Sequence, residues 1–573
     1  LGSKTPGHPE FGETGGVETT TGPLGQGIAN TVGMAIAEAH LAAVYNREGF
    51  DIIDHFTYAI CGDGDLMEGV SHEAASLAGH LGLGKLIWFY DDNHITIEGE
   101  TELSYSDNVQ RRFEGYNWHV INIGDNANDL LKISAAIREA QAVSDKPSLI
   151  IIRSHIGYGA PNLQDTEKAH GAPLGEAEVA AAKRGYGWPE DAQFLVPEPV
   201  KAHMQEILQK GAQAEEAWKN RFAAYRQKFP ELASQLEDSL ALKLPNGWDG
   251  DLPTWKPEDG AQATRTVGGK VLNALAAKIP YLIGGSADLS PSTMTLLKSS
   301  GYFSKSGRAN RNIAWGVREF GMAAACSGIA LHGGLRPFGA TFFVFTDYAR
   351  PAVRLAALMK LPVIYVMTHD SIGVGEDGPT HQPVEHLASL RVIPGLTVIR
   401  PADANETVQA WRAAMLNADG PTMLILTRQG LPVFDRSRFA PADGLLKGGY
   451  IMLKEKGAKP DVILIATGSE VQLIVEAQQK LAGDGVDARV VSLPSWELFR
   501  KQTIEYRESV LPSAVRARVA VEAASTQGWH EFVGDAGIAV GLDQFGASGP
   551  FKKVYEHFGL TADAIVEKAK SLL

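Results

Sequence analysis

Residue types first suggest chemistry in the segment CGDGDLMEG, residues 61–69. It follows a run with strand character and precedes a helical pattern, SHEAASLAGHLG. Glycines at the carboxyl end of a strand let backbone approach a phosphate, and a helix N-terminus supplies donors for it. Asp63 facing such a phosphate is stable only with a cation between the two anions. Asn93, at 93 − 63 = 30 positions on, closes a second strand pattern in DDNHI. A carboxylate, an amide oxygen and diphosphate oxygens form an all-oxygen set that suits Mg²⁺ or Ca²⁺, with Mn²⁺ as a substitute. Taken alone, GDG is as well explained by a plain turn between strand and helix. The asparagine after the next strand tips the balance toward a metal–diphosphate site.

Such residues need a sheet to hold them. Three blocks alternate short β-branched runs with helical patterns, which predicts parallel α/β sheets. Strands are expected at 56–61, 86–90 and 148–153 in the first block, and a helix at 27–44. The second block offers strands at 281–284, 362–368, 396–400 and 422–427, and the third at 461–466, 488–492 and 516–522. Asp403 with Glu406, and Ser469 with Gln472, have the spacing of capping boxes and predict helix starts. Residues 197–243 are polar and helical, and LPNGWDGDLPTWKPEDG reads as a linker. The expected domains are 1–243, a linker 244–262, then 263–440 and 441–573.

Composition narrows the class. At 573 residues with 44% hydrophobic and 21% charged residues, the chain is globular and too long for a single core. A net charge of −14 disfavours nucleic acid and anionic membrane as partners. No apolar run is expected to reach the roughly 20 residues that cross a bilayer. Two cysteines without a CxxC pattern exclude a disulfide framework and favour a cytoplasmic setting. The chain opens on Leu1 inside a Gly/Pro-rich stretch, which leads us to expect that the natural N-terminus lies upstream.

Further segments narrow the family. TTTGPLGQG (19–27), AHGAPLG (169–175), VREFGM (317–322) and HDSIGVGEDGPTHQPVE (369–385), together with GDG and Asn93, resemble transketolase signatures. The resemblance runs the length of the chain. It implies a thiamine-diphosphate-binding α/β fold of three domains, with mostly parallel sheets flanked by helices. It also implies ketol transfer from a ketose phosphate such as xylulose 5-phosphate to an aldose phosphate such as ribose 5-phosphate or erythrose 4-phosphate, in the pentose phosphate pathway. Asp63, Asn93 and Ile95 would hold the metal, and Gly22, Pro23, Leu24, Gly64, Glu68, Asn93 and His170 the cofactor. Phe345, with Phe342, would stack on the pyrimidine, although an FFVF run is as readily plain core. Glu319 would carry the central acid–base role at the aminopyrimidine. Arg265, Ser292, His369 and Arg428 would clamp the substrate phosphate, and Asp377 would bind a sugar hydroxyl. His8, His170 and His381 would surround the reacting carbons. The resemblance further implies a homodimer with active sites between subunits, and members of the family carry a further segment ahead of this point. Rival readings are a dihydroxyacetone synthase-like or deoxyxylulose-phosphate synthase-like enzyme, or an inactive paralogue.

Overall fold

The computed structural model describes residues 2–573; Leu1, on which the upstream expectation partly rests, lies outside them. Two compact units divide the chain. The first comprises residues up to Lys243 together with Phe303–Asn310 and Leu331–Leu335. Its sheet is built from β1 (Thr57–Gly62), β2 (Leu86–Asp92), β3 (His119–Asn122) and β4 (Ser148–Arg153), in the order β1-β2-β4-β3 and parallel throughout. A parallel sheet covered on both faces needs continuous apolar runs, and Leu86, Ile87 and Trp88 are fully buried in succession. The strand β3 goes beyond the expected three. Its WHVINI sequence alternates too weakly to announce itself.

Strand register carries the two metal-site candidates to one edge. Gly62 pairs with Asp91, an offset of 91 − 62 = 29, so Asp63 and Asn93 each stand just past a neighbouring strand end. The residues after β1 are not a bare turn. Asp63–Met67 is itself a short helix, and the longer helix begins at Gly69 rather than after the motif. The helix Gln26–Tyr45 packs on Gly69–Leu81. Contrary to expectation, this 20-residue helix is long and apolar enough to cross a membrane by composition, yet 67% of its most apolar window is buried. The polar region forms the helices Glu198–Lys228 and Pro230–Leu240, secured where the Tyr225 hydroxyl donates to the Tyr45 carbonyl at 2.7 Å.

The second unit comprises Leu244–Tyr302, Arg311–Ala330 and Arg336–Leu573. A ribbon pairs β5 (Gln262–Ala263) with β11 (Gly430–Leu431) in antiparallel sense. One parallel sheet has the order β6-β7-β8-β10-β9, made of Leu282–Ser286 (β6), Arg336–Phe342 (β7), Ile364–Thr368 (β8), Thr397–Ile399 (β9) and Thr422–Leu426 (β10). The other has the order β12-β14-β13-β15-β16, made of Tyr450–Leu453 (β12), Val462–Ala466 (β13), Ala488–Ser492 (β14), Arg518–Val521 (β15) and Ile538–Val540 (β16), with β12 antiparallel at its edge.

Sequence reasoning overlooked β7, β12 and β16. The first of these lies inside the sheet but reads RPFGATF, with few β-branched residues. Gly339 earns its place there, because a Cβ would lie 3.3 Å from the Met322 side chain and 3.4 Å from Cys326 Sγ on the helix Glu319–His332.

Asp403 caps the helix Ala404–Leu416 as expected, accepting from the Glu406 N–H at 2.8 Å. The second capping expectation fails. Ser469 sits inside a 3₁₀ turn, Gly468–Glu470, and the following helix Val471–Gly483 begins without a side-chain cap. Its hydroxyl instead joins a buried polar cluster centred on Arg400, accepting from the guanidinium at 3.0 Å. Arg400 is fully buried and pairs with Asp370 at 2.7 Å and with Glu470. It also donates to both oxygens of Thr467. The Tyr555 hydroxyl donates to Glu470 at 2.8 Å, and Arg391 binds Glu522 through two bonds of 2.7 and 2.8 Å. Buried charges persist only when paired and hydrogen-bonded, so this cluster joins the two sheets of the unit tightly.

Candidate active site

In the first unit, Asp63 is buried, and its Oδ1 accepts from the Tyr90 hydroxyl. Its Oδ2 is equally buried and has no hydrogen-bond partner among the described residues. Burial raises the Asp63 carboxyl above its usual range, with the Asp92 and Asp91 anions adding to the rise against the Tyr90 hydroxyl and His94. Asn93 turns its amide N–H toward Asp91 Oδ2 at 3.1 Å, while its Oδ1 accepts from the Ile95 N–H at 2.9 Å. His94 between them has φ 63°, the left-handed turn that folds the chain back so that Ile95 meets Glu100. An orphaned carboxylate oxygen next to an amide oxygen on the adjacent strand end fits a hard divalent cation.

The Gly22–Gly25 loop is welded to this corner by Asp65. One Asp65 oxygen accepts from the Gly25 N–H at 2.8 Å and the other from the Gly62 N–H at 3.0 Å. Sequence reasoning did not single out Asp65, although its place in GDGD was a signal. Space in the corner is tight. A Cβ on Gly64 would lie 2.9 Å from Leu24 Cδ1, and one on Gly25 would lie 2.9 Å from Glu68 Cβ. Leu24 and Glu68 are themselves exposed. Pro23 accepts from the Gln26 N–H. Gly22, at φ 124°, faces the His8 ring 3.8 Å from where its Cβ would stand. The structure thus brings Gly22, Leu24, Gly64, Glu68 and Asp65 together, with His8 beside Gly22. His170 follows the 3₁₀ turn Glu167–Ala169 on an exposed loop, and its side chain has no hydrogen-bond partner among the described residues.

In the second unit, Glu319 is the first residue of the helix Glu319–His332 and is 8% exposed. A helix start favours the carboxylate, but burial outweighs it here and raises the carboxyl. Across from it, β7 ends in aromatic rings. Phe342 and Phe345 stack with centroids 6.1 Å apart and planes within 12°. Phe343 is the core member of the run, fully buried, while Phe342 and Phe345 are only half-buried. His369 packs on Phe342 at 3.7 Å between centroids, and His381 meets Phe345 edge-on at 5.6 Å.

The β5–β11 ribbon sets two arginines side by side. Ala263 pairs with Gly430, and the Thr264 and Thr427 hydroxyls and amides interlock, so Arg265 and Arg428 emerge as neighbours. Arg265 donates from Nη1 to the Ser292 carbonyl at 2.8 Å, while its buried Nε has no partner among the described residues. Ser292 therefore reaches the site through its backbone. His369 is buried, and burial, reinforced by Arg265, Arg428 and His381, pushes its imidazole down to about 3. A pocket that buries an imidazole and sets two arginines beside it is one prepared for an anion. Asp377 is exposed in the turn between Gly375 and Gly378.

Comparison with known proteins agrees with this chemistry. The family model of the transketolase thiamine diphosphate binding domain matches residues 1–245, that of the transketolase pyrimidine binding domain residues 260–433, and that of the transketolase-like C-terminal domain residues 448–561. The chain is 54% identical to a transketolase of Halalkalibacterium halodurans, covering all of this chain and 85% of that protein. It is 53% identical to the chloroplastic transketolase-1 of Arabidopsis thaliana, covering all of this chain and 77% of that one. A Pichia stipitis transketolase solved with sedoheptulose 7-phosphate superposes with a TM-score of 0.96 at 44% identity, over all of this chain and 84% of the other. With three consecutive domains matched and relatives more than half identical along its full length, the chain belongs to the transketolase family.

Proposed function

We infer that this chain catalyses reversible transfer of a two-carbon ketol unit from a ketose phosphate such as xylulose 5-phosphate to an aldose phosphate. The observation that carries the reading is the arginine pair around a neutral His369, a ready-made phosphate clamp in the same unit as a buried acid. Thiamine diphosphate, when bound, supplies an acidic thiazolium carbon and an electron sink for the two-carbon unit. Every other task falls to the protein. Asp63, Asn93 and the Ile95 carbonyl would hold Mg²⁺ against the diphosphate, with Ca²⁺ or Mn²⁺ able to replace it. Asp65 fixes the loop on which Gly22, Pro23 and Leu24 would meet the cofactor, and Gly64 keeps that approach open. Phe342 and Phe345 offer a flat wall for the pyrimidine. Glu319, its carboxyl raised by burial, would exchange a proton at the pyrimidine ring nitrogen.

Arg265, Arg428 and His369 would bind the phosphate end of the sugar, with Ser292 holding Arg265 in place. Asp377 would accept from a sugar hydroxyl. His8, His170 and His381 would polarise the reacting oxygens and shuttle protons near neutral pH. The reading extends to a homodimer in which each site joins the first block of one subunit to the second block of its partner. Exposed apolar residues flanking the pyrimidine corner support it, with Val317 74% and Tyr348 62% exposed. It extends also to a cytoplasmic setting, for which the buried free thiols of Cys61 and Cys326 speak. Incubation with xylulose 5-phosphate, ribose 5-phosphate, thiamine diphosphate and Mg²⁺ should yield sedoheptulose 7-phosphate. Its absence would overturn the reading.

A further inference from the structure

The C-terminal block contains no residue assigned to the chemistry above, yet it grips the loop that presents His369, Asp377 and His381. The loop is built to need such a grip. Gly375 and Gly378 adopt φ values of 82° and 77°, and the two residues between them, Glu376 and Asp377, are exposed. The Gly378 N–H closes the turn on the Gly375 carbonyl at 3.2 Å, but the central peptide between Glu376 and Asp377 lies outside that bond, and the flanking glycines leave it free to rotate. The segment 546–551 supplies the hold. Ser548 Oγ donates to the Glu376 carbonyl at 2.7 Å. Gln382, which is 2% exposed, donates its amide to both the Gly375 and the Ala547 carbonyls at 2.9 Å. Contact is close on the glycine side too. A Cβ on Gly375 would lie 3.1 Å from the Gly549 carbonyl oxygen, and one on Gly378 would lie 3.3 Å from Ser548 Cβ. Beneath the loop, the Tyr555 hydroxyl lies 3.3 Å from Ser371 Oγ.

We propose that Ser548 is a positioning residue for ketose recognition, orienting Asp377 through the Glu376 carbonyl. The peptide group is planar, so the Glu376 oxygen lies in one plane with the Asp377 nitrogen and Cα. Pinning that oxygen fixes the direction in which the Asp377 carboxylate leaves the loop. Without the bond, the 376–377 peptide can rotate between its glycines, and the carboxylate samples positions away from the sugar hydroxyl. The proposal rests on the assignment of Asp377 to a substrate hydroxyl.

The test is a double-mutant cycle in the full-length enzyme with cofactor and Mg²⁺. Ser548→Ala should raise KM for the ketose phosphate about 3- to 10-fold, the worth of one hydrogen bond, and narrow its preference over the C3 epimer. Cofactor affinity and kcat should change by less than about twofold. Ser548→Thr, which keeps the hydroxyl, should restore the KM. In an Asp377→Ala background, Ser548→Ala should add nothing further. Unchanged KM in Ser548→Ala, or an equal effect with and without Asp377, would overturn the proposal. If Asp377→Ala itself left ketose discrimination intact, the assignment of Asp377 would fall, and the proposal with it.

Discussion

Arg265→Met isolates the phosphate clamp, because the substitution keeps an unbranched stem while removing the charge. In the native arrangement one Nη1 donor of Arg265 is committed to the Ser292 carbonyl at 2.8 Å, while the guanidinium as a whole is only half-buried and keeps its charge for an incoming anion. A hydrogen bond to a charged group contributes about 1.5–3 kcal/mol, which corresponds to about 10- to 150-fold in affinity. Arg428 remains in the variant and is solvent-exposed, so the lower part of that range applies. We expect kcat/KM for xylulose 5-phosphate to fall about 10- to 50-fold. For a ketose donor lacking the phosphate, the fall should stay within about threefold, since no anion then meets the guanidinium. The assay is steady-state turnover with both donors at saturating cofactor. Equal losses with the two donors would show that Arg265 serves only to brace Ser292, and the clamp would have to be abandoned.

Three other outcomes follow from the same geometry. Asp63→Asn should weaken Mg²⁺-dependent cofactor binding at least about 100-fold by fluorescence titration, while slightly raising the melting temperature without metal, because a carboxyl disfavoured by burial has gone. Glu319→Gln should leave cofactor binding near native and abolish ketol transfer; retained turnover would remove its acid–base role. His369, depressed to about 3 in the folded state against an ordinary value of 6.5, is protonated more readily in the unfolded chain between those limits. Stability should therefore decline as pH falls from about 6.5 toward 3, and His369→Asn should flatten that decline in acid-denaturation curves.

The all-oxygen corner was legible because its logic is local. Glycine, aspartate and asparagine at the ends of adjacent parallel strands need only strand register to meet, and that register follows from the apolar runs on either side. The meeting of Arg265 with Arg428 could be expected only by resemblance. Arg265 and Arg428 lie far apart in sequence, and the ribbon that joins them is two residues long on each side, below any threshold of pattern. Asp65 was passed over because a second aspartate in GDGD looks like a repeat of the first, whereas its two oxygens accept from backbone amides of the Gly22–Gly25 loop and of the end of β1. The strand β7 was hidden for the converse reason: its Gly339 serves the close approach of a helix, and a small residue carries no strand signature. Ser469 had the right spacing for a cap, but a buried guanidinium nearby made a stronger claim on its hydroxyl than the helix did.

The cluster around Arg400 bears on how this protein can be divided. Its partners come from both sheets of the second unit: Asp370 follows β8, and Glu470 follows β13. The loop near residues 432–449 looks like a place to cut, and the boundary expected from sequence falls there. Energetically the seam is closed. Parting the two sheets would strand Asp370 and Glu470, or Arg400, as bare charges in an apolar face. A peptide bond severed in that loop would therefore leave two fragments that stay together. Exchange of the C-terminal block between relatives would succeed only where both sides of this ionic lock are inherited as a set.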